Sequence, residues 1–304
     1  MLFDDEITPE LEEQFEQLCN TDPFQLIDHI APELEGYRDL KLSVLLILLT
    51  PRDLTPTQRD RLHLLMYGKP GTGKTVILRW LHRTFNAEYL THDTTKASLK
   101  GDARRKDLGV QILQRAHGRI VCFDEFSMLK DREELRDAME DGFYKITKAG
   151  REQVFPAEIR VVAATNEVKL SDAMQDRFDL THEMLEPTPD LSTRVAKRLT
   201  RIYAGLVPDQ TSFIKQFVEW ANDFEPRIPH DMLSDFDKVW ELYFDLTGRG
   251  WSGRRIASVL RIARALARLH HRDVLPEDII MAIRIKDPMS EHDLKRLQRL
   301  IERV

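Results

Sequence analysis

The sequence predicts an α/β fold: a parallel sheet held between helices, followed by a helical lid. Three observations predict it. Short apolar runs at residues 63–67, 119–123 and 160–164 alternate with helical apolar spacings, the pattern of a parallel sheet covered on both faces. The first run leads directly into Gly68-Lys69-Pro70-Gly71-Thr72-Gly73-Lys74-Thr75, a complete G-x-x-x-x-G-K-[ST] loop between strand and helix. Beyond Pro187 and Pro189 the apolar spacing is helical throughout.

Each element has its own signal. Leu11, Phe15 and Leu18 mark a first helix, with Phe24, Leu26 and Ile27 following the break at Asp22-Pro23. Residues 40–49, apolar except for Lys41 and Ser43, read as a buried helix, and Pro51 stops them. Residues 52–60, with Pro56, form a connector. A strand at 63–67, a helix at 75–85 and strands at 119–123 and 160–164 follow. After residue 190 helices are expected at 192–204, with Ser192 as N-cap, and at 211–224, 229–246, 253–270, 276–285 and 291–304. The expected organisation is an N-terminal helical segment at 1–23, a nucleotide-binding αβα domain at 24–190 and a helical lid at 191–304.

Composition narrows the function classes. Apolar residues are 42% of the 304, enough to bury a core. Cys19 and Cys122 have no metal-ligand spacing and cannot build a disulfide framework, so a reducing cytoplasm is the expected compartment. The start is acidic, Asp4-Asp5-Glu6, unlike a signal segment, and the apolar run 44–49 is too short to span a bilayer. A net charge of −6 speaks against a protein coated in nucleic-acid contacts but allows a locally basic pore.

The glycine-rich loop carries the first chemistry. Its glycines let backbone N–H groups point at phosphate oxygens, and the following helix N-terminus adds positive potential. Lys74 is suited to the β- and γ-phosphates of ATP and the Thr75 hydroxyl to Mg²⁺. Ile120-Val121-Cys122-Phe123-Asp124-Glu125 is an apolar strand ending in two acids. Many buried strands end so, but downstream of this loop Asp124 is a second Mg²⁺ ligand and Glu125 a general base for water. Asn166 ends the strand at 159–164, where an amide can both donate and accept near the attacking water. Arg177 and Arg254 read by themselves as surface salt-bridge formers, although arginines in phosphoryl transfer can also stabilise a γ-phosphate. Residues 143–148 and 153–155 form a hairpin across Ala149-Gly150-Arg151, with Lys148 and Arg151 at its tip able to contact DNA phosphates without reading sequence.

The order of loop, Asp-Glu, Asn, Arg-Phe-Asp and helical lid resembles an AAA+ P-loop NTPase, and several stretches resemble the ATPase core of the MCM (minichromosome maintenance) replicative helicases. These are Phe24-Gln25-Leu26-Ile27-Asp28-His29-Ile30-Ala31-Pro32, Cys122-Phe123-Asp124-Glu125-Phe126, Ile146-Thr147-Lys148-Ala149-Gly150 and Arg177-Phe178-Asp179-Leu180. The stretches at 252–265 and 274–285 resemble that family's sensor-2 helix and its successor.

The resemblance implies an ATP-hydrolysing helicase or translocase of DNA replication, working as a ring, as a hexamer, on single-stranded or forked DNA. It makes Arg177 an arginine finger and Arg254 a sensor-2 arginine, both acting on a neighbouring subunit's ATP. It puts Lys148 at the tip of a DNA-tracking hairpin, and the basic segment 96–110, with Lys100, Arg104, Arg105 and Lys106, in place of the helix-2 insert. The loop reads Gly73-Lys74-Thr75 where the family more often has Ala-Lys-Ser. A minimal form without the family's N-terminal and winged-helix domains is expected, from an archaeal, bacterial, viral or mobile-element source, with a separate DNA-binding or replication protein as partner. Two other readings stay open: an AAA+ ATPase that loads or remodels a protein, and a magnesium-chelatase-like ATPase.

Overall fold

The computed structural model describes residues 7–55, 58–101, 111–148, 151–230, 236–248 and 252–301. The chain forms α1 (Pro9–Thr21), α2 (Arg38–Leu48), β1 (Leu64–Tyr67), α3 (Lys74–Phe85), β2 (Glu88–Leu90), α4 (Lys96–Lys100) and α5 (Ile112–Arg115). Next come β3 (Ile120–Phe123), α6 (Arg136–Glu140), β4 (Phe143–Lys148), β5 (Arg151–Pro156), β6 (Arg160–Thr165), α7 (Asp172–Gln175) and β7 (Leu180–Glu183). Helices α8 (Pro189–Tyr203), α9 (Thr211–Asp223), α10 (Phe236–Thr247), α11 (Gly253–Leu269), α12 (Pro276–Lys286) and α13 (Glu291–Ile301) complete it. Among the described residues no helix is long and apolar enough to cross a membrane, and Cys19 and Cys122 are both buried and free.

The expected α/β class is what the chain adopts. Five strands lie in the order β2-β3-β6-β1-β7, and each neighbouring pair is parallel. Every residue of β3 and β6 is buried, which is why both read as continuous apolar runs rather than alternating ones. Tyr67 stands opposite Thr165 and Glu183, and Phe123 opposite Ala163. The loops after β1, β3 and β6 therefore leave from one edge, the carboxyl end, where open α/β sheets place their ligands. The edge strand β2 has no apolar run to announce it; it forms by pairing Glu88 with Val121 and Leu90 with Phe123.

Helix α2 is buried from Leu40 to Leu48, and burial lowers the Lys41 pKa to about 8. Its last carbonyls are met by a buried cation: Arg160 Nη1 donates to Ile47 O (3.2 Å) and Leu48 O (3.4 Å), while Nη2 donates to Gly118 O (3.1 Å) outside the helix. Burial brings the Arg160 pKa down to about 10.

The chain divides into two units, Leu26–Lys215 on one side and the residues up to Gln25 with those from Gln216 onward on the other. The division differs from boundaries at 23 and 190. Helix α8 stays with the sheet unit, where Arg198 Nε donates to Pro32 O (3.2 Å) and a Cβ on Gly36 would lie 3.1 Å from Leu191 Cδ1. It begins at Pro189, and its cap is Thr188, not Ser192: the Thr188 hydroxyl accepts from Leu191 N (3.2 Å).

In the other unit α1 joins the later helices through Phe15, whose ring lies 5.4 Å from that of Phe217 and 5.5 Å from that of Trp220. The helix expected from 229 begins at Phe236 among the described residues. Residues 224–229 are not helical, and α11 occupies their carbonyls: Arg268 Nε donates to Phe224 O (2.9 Å) and Arg264 Nη1 to Pro226 O.

Candidate active site

The loop between β1 and α3 is shaped by two glycines. Gly68 has φ +142°, and a Cβ there would stand 2.3 Å from Met184 O, on the chain that continues β7. Gly73 has φ +102°, and its Cβ would meet Leu34 Cδ1 at 2.5 Å. Neither position accepts a side chain without moving its neighbour, so the Gly73 of this chain goes with the Leu34 packed on it. Helix α3 starts at Lys74 and has 12 residues, and its first N–H groups lack intrahelical partners.

Lys74 Nζ donates to Gly68 O (2.6 Å) and Lys69 O (2.8 Å). Burial lowers its pKa, while Glu125 and Asp124 act to raise it.

Asp124 and Glu125 leave the end of β3 in different directions. Asp124 Oδ2 accepts from Thr75 Oγ1 (3.2 Å) and from the Tyr89 hydroxyl (2.7 Å). Glu125 sits in the left-handed region, at φ +55°, a conformation costing a non-glycine residue about 1–3 kcal/mol. The turn sends Phe126 into the core, 5.4 Å from Phe123 and 5.6 Å from Phe178 between ring centres. It also brings Glu125 Oε1 to Asn166 Nδ2, which donates to it at 2.6 Å. The residues expected from the ends of three separate strands therefore meet in two pairs, Thr75 with Asp124 and Asn166 with Glu125.

Tyr89 belongs to this group, and sequence reasoning misses it. Its ring lies on β2, opposite Cys122, which puts its hydroxyl at the acid two residues further along. Burial, and then the bond to Asp124, push its pKa up to about 12. The signal in the sequence is slight, a tyrosine in the short stretch after α3, and its meaning depends on β2 pairing with β3.

The oxygens of Thr75 and Asp124 are hard donors suited to Mg²⁺. Among the described residues no group of three or more His, Cys, Asp or Glu side chains could hold a metal by itself.

Arg177 stands at the opposite end of the sheet. Arg177 precedes β7, whose Leu180 pairs with Leu64, so it lies at the amino end of the sheet. The length of β1, on the order of 10 Å at about 3.3 Å per residue, separates that end from the loop after Tyr67. The Arg177 side chain is buried. Its Nη1 donates to Ala173 O, and its Nε stands 3.8 Å from Glu140 Oε2. Arg254 is exposed in the first turn of α11, in the other unit. Arg255, next to it, donates to both Asp287 oxygens at 3.0 and 2.9 Å.

The expected hairpin is present, but its return strand runs Arg151–Pro156 and not 153–155: Arg151 pairs with Lys148 instead of lying in the turn, and the ladder extends back to Phe143↔Pro156. Tyr144 stacks on Phe155 at 5.2 Å, and Lys145 pairs with Glu152 at 2.8 Å on the exposed face. Residues 149–150 and the side chains of Lys148 and Arg151 lie outside the described residues. So does 102–110 of the basic segment, with Arg104, Arg105 and Lys106. Lys96 and Lys100 share Glu134, at 2.5 and 3.1 Å.

Comparison with known proteins places this geometry among relatives. The family model of the MCM P-loop domain matches residues 12–203. The chain is 26% identical to the DNA replication licensing factor mcm7-B of Xenopus laevis, over 96% of this chain and 46% of that protein. It is 26% identical to the DNA replication licensing factor MCM6 of Oryza sativa subsp. indica, over 91% of this chain and 39% of that protein. With the licensing factor MCM2 of Oryza sativa subsp. japonica the identity is 26%, over 86% and 34%. The chain spans less than half the length of these relatives.

Proposed function

The chain belongs to the MCM P-loop family, and from that premise we propose that it is an ATP-hydrolysing motor that works on DNA in replication as a ring, most simply a hexamer of identical subunits. The observation that carries the reading is the pairing of Asn166 with Glu125 at 2.6 Å beside the pairing of Thr75 with Asp124. A carboxylate held by an amide, next to hydroxyl and carboxylate oxygens and a buried lysine, has the parts of a phosphoryl-transfer site.

The residues divide the work. The loop 68–75 binds ATP, with its N–H groups and Lys74 on the phosphates. Thr75 and Asp124 hold Mg²⁺, which supplies positive charge to the phosphate oxygens when bound. Tyr89 keeps Asp124 oriented through one of its two oxygens. Glu125 takes the proton from the attacking water, and Asn166 fixes the carboxylate and can donate to the same water. Arg177, at the far end of its own sheet, serves a neighbouring subunit's nucleotide by swinging out from Ala173 and Glu140. Arg254 joins from the helical unit, likewise across the subunit boundary. The hairpin β4–β5 presents Lys148 and Arg151 to DNA phosphates.

ATP hydrolysis measured with and without single-stranded DNA, alongside the mass of the assembly, tests this reading. A DNA-stimulated ATPase of ring-sized mass is expected. Hydrolysis indifferent to DNA in an assembled ring would contradict it and favour a protein-remodelling ATPase.

A further inference from the structure

The amino end of the sheet carries a second set of charged groups that the hydrolysis chemistry does not use. Residues 59–63 enter β1 there. Arg59 Nη2 donates to both Asp179 oxygens, at 3.1 and 3.2 Å, and Nη1 to Met139 O at 3.0 Å. The His63 backbone N–H reaches the same carboxylate at 3.0 Å. The His63 ring contacts the same Met139 carbonyl through Nε2 at 2.9 Å, while its Nδ1 accepts from Val161 N at 2.9 Å. A carbonyl on one side and an N–H on the other fix the neutral tautomer with its proton on Nε2. Arg61 Nη1 adds bonds to Ala138 O (3.1 Å) and Ile159 O (2.6 Å).

These contacts join two parts with separate duties. Met139 lies in α6, which runs into the hairpin after Asp141 and Gly142. Asp179 lies two residues from Arg177, and Arg177 faces Glu140, the last residue of α6. One guanidinium thus grips both the Arg177 segment and the base of the hairpin. The grip is buried, with side-chain exposures of 10% for Arg59 and 2% for Asp179. A charge in such a place cannot slip off its partner without being left unpaired. Phe178 anchors the segment between them, its ring 5.6 Å from that of Phe126 in the core.

We propose that Arg59 is a positioning residue that couples Arg177 to the hairpin, so that engagement of Arg177 at a neighbouring nucleotide changes the grip of β4–β5 on DNA. This deepens the motor reading and rests on it. The planar fork of arginine holds a carboxylate and a carbonyl in fixed relation, whereas a lysine offers one flexible point charge. Arg59→Lys therefore keeps the charge and loosens the link.

Coupling is measurable without turnover. If nucleotide and DNA bias one device, each tightens the other's binding by the same factor. The experiment measures affinity for a fluorescent single strand with and without a non-hydrolysable ATP analogue, in assembled wild type and Arg59→Lys, with thermal melting as the folding control. In the wild type the analogue is expected to change DNA affinity by at least about fivefold. In Arg59→Lys each ligand alone binds within about twofold of wild type, and the factor falls to about one. A merely structural role would lower melting or both affinities and leave the factor intact. A folded Arg59→Lys with the wild-type factor overturns the coupling. Should that variant not fold, Asp179→Asn, which removes the charge and keeps the shape, is measured in the same way: a factor near one supports the coupling, and the wild-type factor overturns it. A wild type that binds DNA with a factor of one overturns the coupling alone. A wild type that binds no DNA overturns the motor reading, and the coupling with it.

Discussion

At the carboxyl end of the sheet Asp124, Glu125 and Asn166 are half-buried; Asn166 donates to Glu125, and Asp124 accepts from Thr75. At the amino end Arg61, His63, Arg160 and Asp179 are buried and bonded largely to backbone. The two ends of the same strands both carry polar and charged residues and put them to different uses. Where charges stay partly open to solvent and meet only side chains, they are available to a ligand. Arg61 and Arg160, dry and spent on carbonyls, hold elements together. Substitutions of Glu125 or Asp124 should cost chemistry, and substitutions of Arg59, Arg61 or Arg160 stability.

The largest effects belong to the carboxyl end. Lys74→Ala should abolish binding of a fluorescent ATP analogue, while Glu125→Gln should keep it and lower phosphate release by about 10²–10⁴-fold. Both should melt close to wild type. Near-normal turnover by Glu125→Gln would remove Glu125 as the base. At the amino end Arg59→Ala, which strands a buried carboxylate, should lower the unfolding free energy in urea by about 3–5 kcal/mol. Unchanged stability there would erase the contrast.

The amino end should also respond to acid. Burial holds His63 well below its ordinary pKa of 6.5, so the folded chain keeps it neutral where the unfolded chain takes up a proton. The stability is present above that pH and lost as pH falls below it, by about 1.4 kcal/mol per unit per proton. Burial lowers His29, His182, His270 and His271 as well, with the same sign. Urea unfolding from pH 7.5 down to 5.5 (about one unit either side of the free value) reads this; stability flat or rising on acidification would contradict it. The smallest effect belongs to Tyr89. Removing one hydrogen bond with Tyr89→Phe should raise the Mg²⁺ midpoint for nucleotide binding by about five- to tenfold. An unmoved midpoint would leave Tyr89 a packing residue only.

The carboxyl end is legible in the sequence because its signals are local: a glycine-rich loop, two acids and an asparagine, each directly after an apolar run. Their convergence follows from parallel pairing, which any α/β alternation implies. The amino end is not legible. Arg59 and Asp179 are 120 residues apart, and a charged connector before a strand looks the same whether solvated or locked. Arg177 stands out along the chain, but its burial against Ala173 and Glu140 has no local mark. Tyr89 needs the register of an edge strand too short to announce itself. The N-cap of α8 differs from the expected Ser192 for a simpler reason: Thr188-Pro189 is a stronger start, since proline suits the first turn.

In the proposed motor, chemistry at one end of the sheet drives a hairpin that holds DNA. DNA-stimulated ATP hydrolysis by wild type and Lys148→Ala across a salt series tests this most directly. The expected result is an intact basal rate in the variant, lost stimulation and a shallower salt dependence of DNA binding, since one phosphate contact is gone. Identical stimulation and an identical salt slope would contradict it.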